Sequence, residues 1–133
     1  MAGTEIQMTA QKQLSLPQIC QKLNSIGDVE RVAHIEHSDN DVHSVLLVYE
    51  RYYVRVSSYA SLTVLLTEHG QTQTADVIAC GGGDGYLNFS LGANRNFARE
   101  YAKALEECGF TSGGDSSAHQ SQGIFAKLGQ LFE

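Results

Sequence analysis

The sequence predicts an α+β fold in which an antiparallel meander of strands is covered on one face by two helices. Three observations carry this expectation. From residue 42 onward, long stretches rich in Val, Leu and Tyr alternate along the chain with the period of half-buried strands. A capped, amphipathic helix pattern lies near each end of this strand region. The connections between strand segments are short runs of Asx, Ser and Gly.

Residues 4–9 alternate, with Thr4, Ile6 and Met8 on one side, and predict a short first strand. Residues 14–27 then carry a full set of helix signals. Ser15 is the N-cap and Gln18 stands at capping-box spacing. Leu14 and Ile19 flank the cap as a hydrophobic staple, and Pro17 sits in the first turn, where its missing N–H costs nothing. Ile19, Cys20, Leu23 and Ile26 form the apolar stripe, and Gly27 is expected to end the helix.

Residues 29–37 read as a strand, and residues 38–41 as a turn in which Asx side chains bond local backbone. Residues 42–57 read as one long strand. Leu46, Val48, Tyr52, Val54 and Val56 share one face of it, and Val45, Leu47, Tyr49, Arg51, Tyr53 and Arg55 share the other. Residues 62–66 form the next strand, and His69 and Gly70 suit a tight hairpin. Residues 73–80 and 86–91 complete the strands on either side of the Gly81 to Gly85 connection. Asn94 is expected to cap a second helix with Phe97, Tyr101, Leu105 and Cys108 inward. Gly109 ends that helix, with Phe110 folding back on Leu105.

The expected order is β-α-β-β-β-β-β-α, with both helices on one face. This helix-on-sheet arrangement resembles TATA-binding-protein-like and helix-grip folds, an analogy that carries no function. Residues 1–111 form the single domain. Residues 112–123, built from Ser, Gly, Gln and His, read as a flexible linker. Residues 124–133 form an amphipathic tail helix in which Ile124, Phe125, Leu128, Leu131 and Phe132 share one side. Ten residues cannot hold a helix alone in water, so this segment is expected to bind something.

The chain of 133 residues has a net charge of −6. That balance disfavours nucleic-acid binding, where Lys and Arg must neutralise phosphates. No apolar run reaches the length of a membrane span, and the N-terminus lacks a signal-peptide pattern, so the expected location is the cytoplasm. Cys20, Cys80 and Cys108 are odd in number and lack CxxC spacing, which disfavours a disulfide framework or a structural zinc site. No cofactor is implied.

From Val48 to Gly109 the chain resembles a small family of bacterial domains of unknown function. The likeness rests on Tyr49-Glu50-Arg51, the residue 62–66 strand, the Gly81-Gly82-Gly83 turn and Asn88-Phe89-Ser90. It implies a bacterial α+β domain and brings no activity, ligand or catalytic residue.

No catalytic motif stands out. The Gly81 to Gly85 segment precedes a strand pattern and lacks a Lys-Ser or Lys-Thr, so it reads as a turn rather than a phosphate loop. His34, His37 and His43, with Glu36, Asp39 and Asp41, are the richest set of candidate metal ligands. A strand here puts His34 and Glu36 on one face and His37 on the other. Glu50 falls on the expected helix-covered face, where burial would raise its pKa. Arg95, Arg99 and Lys103 form a basic stripe on the second helix. Tyr49, Arg51, Tyr53 and Arg55 are expected on the face away from the helices, and Tyr and Arg are enriched at interfaces.

These features favour a non-enzymatic module that self-associates or binds a protein through its outer sheet face and its tail. A second reading is a protein that binds a small hydrophobic ligand in a cavity between sheet and helices. A third is a metal-dependent enzyme built on His34, His37 and His43.

Overall fold

The computed structural model describes residues 3–54, 57–81 and 87–113, with side chains from residue 92 onward in the last segment. The elements are β1 (Gly3–Gln11), α1 (Leu16–Asn24), β2 (Glu30–Asp39), β3 (Val42–Tyr53), β4 (Ser58–His69), β5 (Thr72–Gly81), α2 (Leu87–Glu107) and β6 (Thr111–Ser112). They build one open antiparallel sheet in the order β2-β3-β4-β5-β1-β6, with both helices on one face.

Local chemistry fixes each joint. The capping box of α1 is formed: the Gln18 amide donates to Ser15 Oγ at 3.3 Å, and the Ser15 amide donates to Gln18 Oε1 at 2.9 Å. The helix stops at Asn24, short of the expected Gly27. Ser25 closes it, its amide and its hydroxyl both donating to the Lys22 carbonyl. The chain then reverses at Asp28, which adopts a φ of 60°. Two-residue turns join β2 to β3 and β4 to β5, with Asn40 (φ 50°) and Gly70 (φ 63°) in the left-handed region. At the end of α2, the Phe110 amide donates to the Leu105 carbonyl and the Gly109 amide to Glu106, the expected Schellman ending.

One expected strand is corrected. Residues 87–91 begin α2, and Asn94 lies inside that helix rather than at its cap. A window this short fits either period, since Leu87, Leu91, Ala98, Tyr101 and Leu105 also follow helical spacing. The observed order is therefore β-α-β-β-β-β-α-β, the last strand being the two residues of β6.

The core lies between the helices and one sheet face. Leu47, Leu62, Val64, Leu66 and Val77 from the strands meet Ile19 and Leu23 of α1 and Phe97, Tyr101 and Leu105 of α2, all fully buried. Small side chains at Ala60, Ala75 and Ala79 leave room for α2 to settle close to β4 and β5.

Candidate interaction surface

Both helices pack on one face, and among the described residues no helix covers the other, here called the bare face. The strand register lines up apolar side chains across it. Ile35 lies opposite Leu46, and Leu46 opposite Leu65. In the next row on the same face, Ala33, Val48, Thr63 and Ile78 follow one another. Tyr52 and Tyr59 face each other with ring centroids 5.1 Å apart, edge to face. Ile35 is 46 % exposed and Tyr59 58 %. Exposed apolar side chains grouped in this way mark a candidate docking surface. Asp76 lies in the same face, opposite Leu65 and Gln7. Partial burial and then the charge of Glu5 hold its carboxyl above the usual range.

The two sheet edges differ. Beyond β1, the short strand β6 covers one edge at Met8 and Thr9. At the other, β2 pairs with β3 and with no other strand among the described residues, and nine of its ten residues are exposed. Val32 is an extra residue between Arg31 and Ala33, a bulge that interrupts the ladder there. The helix-side residues of β2 are polar because neither helix reaches over them. Arg31 Nη1 lies 3.2 Å from His34 Nδ1, and His34 Nε2 lies 2.8 Å from Glu36 Oε2. Arginine only donates, so Nδ1 accepts and the neutral imidazole carries its proton on Nε2, directed at Glu36.

Between this polar strand and α1 runs an open cleft of about 550 Å³. Pro17, Cys20 and Val45 give it an apolar side, and His34, Glu36 and His43 a polar one. Burial first, and the charge of Glu36 second, push the Cys20 thiol up, away from the reactive thiolate. The cleft lies beside the core packed between helices and sheet.

Tyr49, Arg51 and Tyr53 turn toward the helices, not away from them as the sequence suggested. Tyr49 is 1 % exposed, and its hydroxyl donates to Asn24 Oδ1 at 2.6 Å. Burial raises its phenol well above the ordinary value. Arg51 crosses to Glu100 on α2, donates to the Gly27 and Asp28 carbonyls, and lies over the Phe97 ring at 4.8 Å. Its charge is paired by a residue 49 positions away, so charge alone misplaced this face. Correspondingly, Glu50 lies on the bare face, opposite Glu30 and Ser61. Arg55, the Gly82 to Gly85 segment and the tail residues Ile124, Phe125, Leu128, Leu131 and Phe132 lie outside the described residues.

His34 and His43 lie on the helix side of the hairpin, while His37, opposite Ser44, lies on the bare side. All three histidines line the cleft, His37 reaching it from the bare side of the hairpin. Among the described residues no group of three or more His, Cys, Asp or Glu is placed to hold a metal ion. Arg95, Arg99 and Lys103 are exposed along α2.

Sequence reasoning missed Ile35, Tyr59, Leu65 and Ile78 as surface residues. The available signal was the Asn40-Asp41 turn, which fixes Asp39 opposite Val42 and hence Ile35 opposite Leu46.

No helix among the described residues is long and apolar enough to cross a membrane. No curated protein matches the chain. The model of a family of unknown function, DUF6054, matches residues 1–109 and so spans the sheet through β5 and both helices. The chain belongs to this family of unknown function.

Proposed function

We propose that the protein is a non-enzymatic self-association module whose contact surface is the bare side of the sheet at β2 to β4, assisted by its C-terminal segment. The observation that carries this reading is the apolar row of Ile35, Leu46 and Leu65, exposed at Ile35 and Leu65 and half-buried at Leu46, which runs out to a strand edge that no described residue covers. The tail supplies matching apolar side chains at Ile124, Phe125, Leu128, Leu131 and Phe132. Residues 114–123, between β6 and the tail, can span up to ~35 Å when extended. The sheet is only ~25 Å wide at the usual strand spacing, so the tail can reach the face of its own copy or of a neighbour. A bacterial, cytoplasmic setting belongs to the same proposal, supported by the family resemblance and by three cysteines that remain free thiols.

Light scattering on the full chain tests the reading. The expected result is a species of twice the chain mass, reduced to monomer by Ile35→Lys and weakened by Phe125→Asp or Leu128→Asp. A full chain that stays monomeric at its highest soluble concentration rejects it.

A second reading, small-ligand binding, is favoured by one observation, the open cleft beside α1 with its apolar and polar sides. Native mass spectrometry of freshly purified protein distinguishes it. A co-purifying small molecule lost on Val45→Trp supports ligand binding, and a clean apo mass counts against it.

A further inference from the structure

The edge strand β2 carries a pattern that matches itself. Its bare-face side chains include Ala33, Ile35 and His37, and its helix-side ones His34, Glu36 and Ser38. In an antiparallel pair, directly opposed residues lie on the same face of the sheet. Two copies of β2 related by a two-fold axis can therefore pair only in registers that keep the faces matched.

These registers are not equivalent. An axis at Glu36 sets two carboxylates directly opposite each other, which is unfavourable. An axis at His34 sets Glu36 against the bulged Val32. An axis at Ile35 sets Ile35 against its own copy on the bare face. It also sets each His34 against Glu36 of the second copy on the helix face. The Nε2–H of His34, already aimed at a carboxylate, then has one on each strand, and the two Arg31 side chains balance the two Glu36 charges. Across the seam the apolar row of Ile35, Leu46 and Leu65 continues into the same row of the second copy.

We propose that two copies of the chain join edge to edge by antiparallel pairing of residues 33–37 of β2, with Ile35 on the two-fold axis. The occupant of the edge is a second copy, chosen by this charge complementarity. The bulge at Val32 of each copy ends the pairing, one at each end of the seam. The proposal rests on the self-association reading above and places its contact at the β2 edge, so that the two sheets become one and their apolar rows run on as a single shared face.

The test uses the full chain with single exposed substitutions. Ile35→Cys is expected to give a disulfide-linked dimer under mild oxidation, because opposed Cα atoms at such a seam lie ~4.5–5.5 Å apart, within disulfide reach. Leu65→Cys, two strands inward, is expected to stay uncrosslinked, as is the unsubstituted chain. Glu36→Lys is expected to weaken dimerisation roughly tenfold or more, since each His34 Nε2–H loses its carboxylate acceptor across the seam and the Arg31 charges lose their counter-charge. The double variant His34→Glu with Glu36→Lys is expected to restore it. Cross-linking through Leu65→Cys but not Ile35→Cys overturns the edge geometry and leaves self-association standing, as does a dimer indifferent to Glu36→Lys. A wild-type chain that never dimerises removes the self-association reading itself, and this inference with it.

Discussion

Arg51 and Glu100 meet in a two-pronged ion pair, Nη1 to Oε1 at 2.6 Å and Nη2 to Oε2 at 3.0 Å. The same guanidinium donates to the Gly27 and Asp28 carbonyls and lies over the Phe97 ring. One side chain on β3 thus ties the turn after α1 to α2. The hydrogen bonds to Glu100 hold the Arg51 charge more firmly than usual. Arg51→Leu is expected to lower stability by about 1–3 kcal/mol in urea unfolding, as the loss of a charged hydrogen-bond network does. Arg51→Lys recovers little of this, because an ammonium cannot reproduce the fork or the stacking. Unchanged unfolding midpoints in both variants would remove Arg51 as a clamp.

Tyr49 and Tyr101 stack with centroids 5.0 Å apart, but their hydroxyls differ. Tyr49 donates to Asn24, whereas the Tyr101 hydroxyl is buried with no protein partner among the described residues. Tyr49→Phe is expected to cost about 0.5–1.5 kcal/mol. Tyr101→Phe is expected to be neutral or to stabilise by up to ~1 kcal/mol, since it removes a desolvated polar group. Equal losses for the two variants would contradict this distinction.

Asp76 and Glu68 give opposite pH responses. Partial burial, reinforced by Glu5, raises the Asp76 carboxyl, so its ionised form is disfavoured in the folded chain. That penalty is full at neutral pH and fades as pH falls through the raised folded value. Asp76→Asn is therefore expected to raise stability at neutral pH by a few tenths to about 1 kcal/mol and to lose this advantage in acid. For Glu68, burial acts to raise the carboxyl, but hydrogen bonds from Gln73 and Lys12 outweigh it and hold it below the usual range. Its contribution is present above the ordinary carboxylate pKa and is lost as pH falls through the folded value. Glu68→Gln is expected to cost stability at neutral pH and progressively less in acid. Urea titrations across this range check both signs.

Ending the chain after Gly113 keeps β6 and every element of the sheet while removing the linker and tail. The shortened chain is expected to give the same far-ultraviolet circular dichroism per sheet residue and to associate more weakly than the full chain in sedimentation. Equal association of the two chains assigns the contact to the sheet alone and removes the tail from the proposed surface.

The sequence by itself determined what depends on neighbours along the chain. Ser15 and Gln18 set the start of α1, Gly109 and Phe110 the end of α2, and the alternation in β1 and β4 the shared faces of Ile6 and Met8 and of Leu62, Val64 and Leu66. These signals are local backbone and side-chain preferences, and they survive folding unchanged. The tertiary structure alone decided what depends on distant partners. Residues 45–49 are apolar on both faces, so periodicity could not choose between Leu46 and Leu47. Arg51 could point inward only because α2 brings Glu100 to it. Residues 87–91 became helix as part of a 21-residue element whose length outweighs a five-residue alternation. Ile35 and Glu36 became the rim of the molecule because the helices stop short of β2, a limit set by where α1 and α2 pack and written in no single stretch of the chain.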